Sequence, residues 1–413
     1  MILLERNIRA SVLPTVLLFA TWIMLGVLGI IALWEQDRNL FARLNYHRQQ
    51  RAHLESALRL YEQTENLPSL LDDDASLTLY DSLPSSRVYY DVRPWGLYEA
   101  ITVENHDRRL HLSRLMGSSR ASEEEATFWY VDNRSILTFA GESTLQGQIC
   151  APPAGIAYGT VRSVFFSGER IPAERIASSR DELPALHPEA RSRMEQLGSL
   201  RNEESEPISA FDSVTVSFCE TEPTVLRADD LPLRHCMLSG QIVLCGESLA
   251  IDSTCRLQDV LLVARSVRIG HGFRGRLQIV ASDSVVVEER TRLEYPSGIV
   301  VLPGNRQRHV ALRPGAEVSG YVIVDGDGST DRDEVNYRQD RTAVVRGLLW
   351  VDGMAEWHGI VSGSVFLRRA IYRSPGSSYD DLIYDATLLE NPQCGYPFWA
   401  GSSWARKEVG WLQ

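Results

Sequence analysis

Lysine is almost absent from this 413-residue chain. The single lysine, Lys407, follows an arginine, so the Gly-Lys-Ser/Thr end of a phosphate-binding P-loop is excluded. Positive charge is also in short supply overall, since 54 acidic residues outweigh 42 basic ones and leave a net charge of −12. A general nucleic-acid binder needs a basic surface that neutralises phosphates, so we expect no nucleic-acid partner.

Common catalytic signatures are missing as well. No G-x-S-x-G nucleophile elbow, H-E-x-x-H zinc helix or C-x-x-C pair occurs, and the nine histidines are scattered. Carboxylates fall in the turns between apolar runs, as at Asp283, Glu288 and Asp325. The sequence therefore favours a non-catalytic protein over an enzyme and indicates no cofactor.

One long apolar run lies near the N-terminus. Residues 12–34 carry no ionisable side chain, and a helix of this length, at about 1.5 Å per residue, spans roughly 35 Å. A cleaved secretory signal has a shorter run of about 7–15 residues and small residues after it, whereas Glu35-Gln36-Asp37 follows here. We predict a retained single-pass transmembrane helix, with membrane lipid as its partner.

The orientation of this helix is predicted from the length of the chain beyond it. Arg6 and Arg9 precede the span and four arginines follow it closely, so the flanking charges do not settle the orientation. A long C-terminal domain is translocated largely regardless of flanking charge. We therefore predict a cytoplasmic N-terminal leader and an extracytoplasmic location for the bulk of the chain.

The helical pattern continues beyond the apolar run and ends near Pro68. A stripe at three- and four-residue steps is formed by Leu40, Leu44, His47, Arg51, Leu54, Leu58 and Tyr61. This pattern predicts an amphipathic stalk helix that extends the transmembrane helix. Its stripe would pack either on the globular part of the same chain or against other subunits.

A short basic leader, an uncharged run and a continuing amphipathic helix resemble the N-terminus of type IV pilin-like proteins and pseudopilins. The resemblance covers residues 5–64. If Ser11 is the first mature residue, Thr15 occupies the fifth position, where major pilins have glutamate, and Ala10 stands where the family has glycine. The resemblance implies packing with other pilin-like or envelope subunits through the stalk helix.

A glycine followed by a short β-prone run recurs through the C-terminal two-thirds of the chain. These glycines are Gly240, Gly275, Gly298, Gly320, Gly347 and Gly363. The phrase Ser266-Val267-Arg268-Ile269 returns 18 residues later as Ser284-Val285-Val286-Val287. Recurrence in phase is typical of a β-solenoid, whereas a β-sandwich, the alternative, has strands about every 8–12 residues without a repeated phrase.

The predicted fold class is mainly β, with an irregular β-solenoid carried by the helix. We divide the chain into a leader (1–11), a transmembrane helix (12–34), the stalk helix (35–66), a β-rich joining region (67–135), the solenoid (136–373) with an excursion at 172–207, and an irregular C-terminal cap (374–413). Leu145–Cys150 and Gly159–Phe166 have the same β-prone character and are expected to join the solenoid.

Cysteine spacing matches the length of the repeats. Cys219, Cys236 and Cys255 are separated by 17 and 19 residues, so an adjacent pair can stack on neighbouring strands about 4.8 Å apart. That separation lies within the range that a disulfide tolerates. The alternatives are a disulfide between one such pair and a ladder of buried free thiols.

An acidic, glycine-rich loop is the one candidate metal site. Asp325, Asp327, Asp331 and Asp333 offer the hard oxygen ligands that Ca²⁺ prefers. The loop fits an EF-hand poorly, because Thr330 stands at the sixth position instead of glycine. A solvated acidic insertion is the alternative, and we expect no resident metal.

These features together predict a function. The leading hypothesis is a non-catalytic, membrane-anchored envelope protein, a pilin-like subunit that presents a rigid β-solenoid for assembly, adhesion or secretion. The alternative is a carbohydrate-active or carbohydrate-binding β-helix protein of the cell envelope. The catalytic version of that alternative requires carboxylates gathered on one face of the sheet.

Overall fold

The computed structural model describes most of the chain. The described residues are 12–64, 67, 71–72, 74–119, 126–184, 188–200, 206–208, 212–220, 222–228, 232–302, 308–326, 328, 334–391, 395–397 and 406–412. They are mainly β, as expected, with one long N-terminal helix.

The helices are α1 (Val12–Gln63) and α2 (Pro188–Ser199). The first strands are β1 (Ser76–Thr78), β2 (Arg87–Trp95), β3 (Tyr98–Asn105), β4 (His111–Ser118), β5 (Phe128–Tyr130), β6 (Leu137–Ala140), β7 (Thr144–Leu145), β8 (Ile149–Ala151), β9 (Ile156–Tyr158), β10 (Thr160–Val161), β11 (Val164–Phe165), β12 (Ile176–Ser178), β13 (Glu206–Pro207), β14 (Ser213–Val216) and β15 (Thr224–Arg227). The later strands are β16 (Met237–Gly240), β17 (Ile242–Ile251), β18 (Arg256–Ile269), β19 (Arg274–Val287), β20 (Arg292–Val301), β21 (His309–Leu312), β22 (Glu317–Val324), β23 (Tyr337–Gln339), β24 (Val344–Glu356), β25 (Gly359–Ser374), β26 (Ser377–Asp380), β27 (Leu382–Tyr384), β28 (Ala386–Leu389) and β29 (Arg406–Trp411).

Helix α1 is continuous, and its two halves have different surroundings. Side chains 13–49 are exposed throughout, whereas contacts with the rest of the protein begin at Gln50. The apolar half has a mean hydropathy of 2.6 over its most apolar window and none of that window is buried. The predicted apolar helix is therefore confirmed as long and apolar enough to cross a membrane.

The last turns of α1 pack on an antiparallel sheet with the strand order β1-β2-β3-β4-β29. Leu54, Leu58 and Tyr61 are buried there in one cluster with Ile101 and Val103. Of the two expected fates of the stripe, packing on the same chain holds for this half, because Leu40 and Leu44 remain 49% and 55% exposed.

A barrel-like sheet of mostly parallel strands forms the bulk of the protein. It contains β5, β7, β8, β12–β26 and β28, and a parallel sheet with the order β27-β6-β9 lies beside it. Leu244 pairs with Leu262, and Leu262 pairs with Ile279, so equivalent residues of successive repeats stack in register. The predicted recurrence of about 18 residues is the step from one strand to the next.

Successive side chains along these strands enter two different cores. Leu244, Leu262 and Ile279 point into the barrel, where they join the largest apolar cluster. Their neighbours Val263 and Val280 point outward and are also buried. The continuous apolar runs in the sequence have this cause, since strands covered on both faces lose the apolar-polar alternation.

The outward apolar face is covered by three separate parts of the chain. The antiparallel sheet contributes Leu97 and Tyr98, helix α2 contributes Met194, and the C-terminal region contributes Val409. Gln278 joins the two sheets, because its Oε1 accepts the Leu97 N–H at 3.1 Å and its Nε2 donates to the Trp95 carbonyl at 2.9 Å.

Residues 126–178 stack at the far end of the barrel, next to strands that follow them by more than 200 residues. Strand β25 pairs with β5, and β28 pairs with β7. Residues 145–150 thus join the stack as predicted. Residues 159–166 do not, because β10 and β11 form a separate antiparallel hairpin, closed by Arg162 and Ser163 at positive φ.

Two predicted segments differ from the structure. The excursion at 172–207 contains strands β12 and β13, which belong to the stack, and only the part between them, with α2, crosses the outer face. Residues 374–413 are not an irregular cap, since β26, β27 and β28 extend the parallel sheets and β29 pairs with β4. Short strands at an edge carry too few residues to show a periodic pattern in the sequence.

Three of the recurring glycines stack directly on one another. Gly320 pairs with Gly347, which pairs with Gly363, and all three have φ between +133° and +145°. A Cβ atom on Gly320 would lie 1.8 Å from the carbonyl oxygen of Ser297 in the previous repeat. Glycine is required here because the left-handed backbone and the close approach of the next strand both exclude a side chain.

We predict that Gly320→Ala lowers the free energy of unfolding by about 2–4 kcal/mol, since it adds a backbone clash to an unfavourable φ. Chemical denaturation of the detergent-solubilised protein, followed by tryptophan fluorescence, measures this change. Gly272→Ala is the matched control, because φ is +73° there but nothing lies within 4 Å of the added Cβ. Equal losses in the two variants would contradict the packing argument.

Candidate functional site

A polar cleft of about 300 Å³ opens at one corner of the barrel, where β21, β23 and β24 end and β25 begins its hairpin. Among the described residues that line it are four arginines and two carboxylates: Arg313, Arg338, Arg341, Arg373, Asp340 and Glu356. His358 and Tyr372 complete its polar lining. A local excess of positive charge is unusual in a chain whose net charge is −12.

Two stacked turns position the rim of the cleft. Asp340 Oδ1 accepts hydrogen bonds from the backbone N–H of Thr342 at 2.9 Å and from its hydroxyl at 2.7 Å, which places Arg341 at the tip of the turn. The Thr342 hydroxyl oxygen in turn accepts the Gly315 N–H at 2.9 Å. Sequence chemistry alone favours these turns, since Asp and Gly stabilise them locally.

Glu356 forms the floor of the cleft. It pairs in register with Arg338 across β24 and β23, and Arg338 Nε lies 2.7 Å from Glu356 Oε2. His358 Nε2 lies 3.8 Å from Glu356 Oε1, while His358 Nδ1 donates to the Tyr384 carbonyl at 2.7 Å. Burial by itself would raise the pKa of Glu356, but His358 and Arg338 outweigh it and lower that pKa. Glu356 is therefore ionised at neutral pH.

Aromatic rings form one wall. The Tyr372 ring lies 4.6 Å from the Tyr384 ring and 5.6 Å from the His358 ring. Burial raises the pKa of Tyr372, so its hydroxyl is neutral and can donate a hydrogen bond. The Arg341 guanidinium lies 2.8 Å from Asp385 and 5.2 Å from the Tyr384 ring centre.

This arrangement is suited to binding an anion. Guanidinium groups match the planar oxygens of carboxylates and the oxygens of phosphates or sulfates, and the tyrosine wall offers an apolar surface. A glycosidase general acid needs a raised pKa, whereas the pKa of Glu356 is lowered. The cleft is thus suited to recognition more than to acid catalysis.

The sequence did not single out Arg338, Glu356, His358 or Tyr372. One usable signal was present: Arg338 and Glu356 are 18 residues apart, which is one repeat, and opposite charges at that spacing stack into an ion pair. His358 and Tyr372 reach the cleft only through the hairpin of β25, which no local pattern indicates.

Two of the three singled-out cysteines come together. Cys236 and Cys255 immediately precede β16 and β18, and their sulfur atoms lie 3.0 Å apart as free thiols. Cys219 lies elsewhere, with its sulfur 3.9 Å from the Ser113 hydroxyl. The hydrogen bond between the two thiols raises the pKa of Cys236, the donor, and lowers the pKa of Cys255, the acceptor.

Only Asp325 of the candidate calcium loop lies within the described residues. Its carboxylate is buried, and Oδ2 lies 3.1 Å from the Arg191 guanidinium. Asp327, Asp331 and Asp333 lie outside the described residues. In the part of the chain that the structure describes, no group of three histidine, cysteine or carboxylate side chains is placed to hold a metal ion.

Comparison with known proteins gives no further guide to this site. No family model, curated protein or solved structure matches the chain.

We predict that mild oxidation of the folded protein with diamide joins Cys236 to Cys255, because the two sulfur atoms are already in contact. Diamide takes up the two thiol hydrogens as the sulfur–sulfur bond forms. Peptide mapping by mass spectrometry under non-reducing conditions should find this pair as the main disulfide, and Cys150→Ser should leave it unchanged. A map dominated by another pair would show that the stacking is wrong.

Proposed function

We propose that this protein is a non-catalytic, membrane-anchored envelope protein, a pilin-like subunit that presents a rigid β-solenoid for assembly, adhesion or secretion. The observation that carries the proposal is the division of α1. Its first half is apolar and exposed on all sides, and its last turns are buried in the protein's own sheet. An anchor that positions a folded domain needs both properties.

The solenoid is part of the same proposal. In-register parallel pairing with equivalent residues one repeat apart supports it, as does the stacking of inward apolar side chains in one cluster. Such a stack is stiff, because each strand is hydrogen-bonded to its neighbours on both sides and its core is continuous. A stiff element suits a protein that displays a surface at a fixed distance from the membrane.

The pilin-like role depends on the N-terminal resemblance and on the exposed surface of α1. Between the apolar run and the antiparallel sheet, Leu40, Phe41 and Leu44 remain about half exposed or more. A subunit that assembles through helix packing must leave such a stretch open to neighbouring subunits. The proposed orientation has the N-terminus in the cytoplasm and the barrel outside it.

We predict that the protein sediments with membranes and is released by detergent but not by high salt or alkali. A double substitution of Leu25→Arg and Val27→Arg should move it to the soluble fraction, since each charge costs about 2.5–3.5 kcal/mol near the centre of a membrane helix. Arg43→Gln with Arg48→Gln, on the exposed stalk, is the control and should not change the distribution. Full-length protein found soluble without detergent would refute the anchor.

Carbohydrate binding is a second candidate function, and the arginine-rich cleft specifically favours it. A carboxylate-bearing sugar would place its charge between the rim arginines and its ring against Tyr372, as the lining of the cleft requires. This reading keeps the binding half of the carbohydrate hypothesis and leaves out the catalytic half.

We predict that Arg341→Gln weakens the binding of trigalacturonate roughly threefold to tenfold, because it removes one partly exposed guanidinium from the rim. Arg346→Gln is the control, since this arginine pairs with Glu317 away from the cleft at 2.9 Å. Isothermal titration calorimetry gives both affinities. Equal affinity in the wild type and the Arg341 variant would exclude the cleft as the sugar site.

A further inference from the structure

Three exposed arginines occupy equivalent positions in successive repeats. Arg256, Arg274 and Arg292 are the first residues of β18, β19 and β20, with 18 residues from each to the next. Arg274 pairs directly with Arg292. Arg274 also lies above Arg256, because a Cβ on the adjacent Gly275 would be 2.7 Å from the carbonyl oxygen of Leu257. We call these three residues the arginine row.

The row brings like charges together. Neighbouring strands are about 4.8 Å apart, and like charges directly opposite on a sheet are destabilising. Within the described residues, Arg256 and Arg274 make no ion pair, whereas Arg292 lies 3.8 Å from Glu317, which pairs with it at the next position. Other outward arginines of the same sheet are paired, as Arg268 is with Glu288 at 3.2 Å. The row is therefore an unneutralised charge built at the spacing of the repeats.

We propose that the arginine row binds an extended acidic polysaccharide whose chain runs along the stacking direction. A linear polymer with one carboxylate on each sugar presents charges at regular intervals, and guanidinium forks bind carboxylates well. Met237, which is 48% exposed, lies in line with the row below Arg256 and offers an apolar surface for a sugar ring.

The surroundings of the row favour a single narrow chain over a broad polyanion. Glu317 closes the row at its upper end, and the protein as a whole carries a net charge of −12. A nucleic acid or an anionic membrane would meet this negative charge beyond the row. This inference rests on neither the membrane anchor nor the cleft, because its residues belong to neither.

The test uses full-length protein in a non-ionic detergent and polygalacturonate as the probe. Arg256→Gln with Arg274→Gln should weaken binding about tenfold, since two exposed guanidiniums are lost. Arg43→Gln with Arg48→Gln makes the same change in net charge on the stalk and should leave the affinity unchanged. Neither pair makes an ion pair in the described structure, so thermal unfolding midpoints should match that of the wild type.

Four results would overturn the proposal. The first is equal loss of affinity in the two double variants, which would indicate a general charge effect. The second is equally tight binding of neutral dextran, and the third is equally tight binding of monomeric galacturonate, which can contact only one position of the row. The fourth is a clear preference for single-stranded DNA or for phosphatidylglycerol vesicles over polygalacturonate. A loss caused by Arg341→Gln alone would assign the polymer to the cleft and also reject the row.

Discussion

In-register stacking of parallel strands is the constraint from which most of this structure follows. It places equivalent residues of successive repeats about 4.8 Å apart, so each position along the repeat becomes a column through the sheet. Apolar columns build the core inside the barrel. Glycine columns allow close approach at the corners, and a cysteine pair and an arginine–glutamate pair form where such residues fall one repeat apart. The same rule that stabilises the apolar columns concentrates charge where arginines coincide.

The outward apolar face of the sheet creates the second level of organisation. Exposing it to water would cost much of the stability that the inner core supplies, at roughly 25 cal/mol per Å² of apolar surface. The antiparallel sheet, helix α2 and the C-terminal strand cover it. Because the antiparallel sheet also holds the end of α1 on its other side, the anchor helix, this sheet and the barrel form three packed layers. The direction of the helix is therefore coupled to that of the barrel.

Recognition on this protein depends on local departures from its acidic average. The cleft and the arginine row each concentrate positive charge, the cleft with an aromatic wall and the row with regular spacing. In both, the ordinary twist and pairing of the sheet position the side chains, and no metal or cofactor is needed to do so. A display scaffold gains such surfaces simply by repeating a residue type at the period of the fold.

The sequence by itself determined the features that neighbouring residues encode. The apolar run and the helix that continues it, the recurring glycine and the step of about 18 residues were all readable, because helical and strand periodicity are local properties. The stacking of Cys236 on Cys255 followed from that same step. Only the tertiary structure decided that residues 126–178 cap the far end of the stack, that β29 completes the antiparallel sheet, and that His358 and Tyr372 meet Glu356 in one cleft. Each of these depends on contacts between segments far apart in the chain, and a short strand gains its partner from the surface it covers rather than from its own pattern.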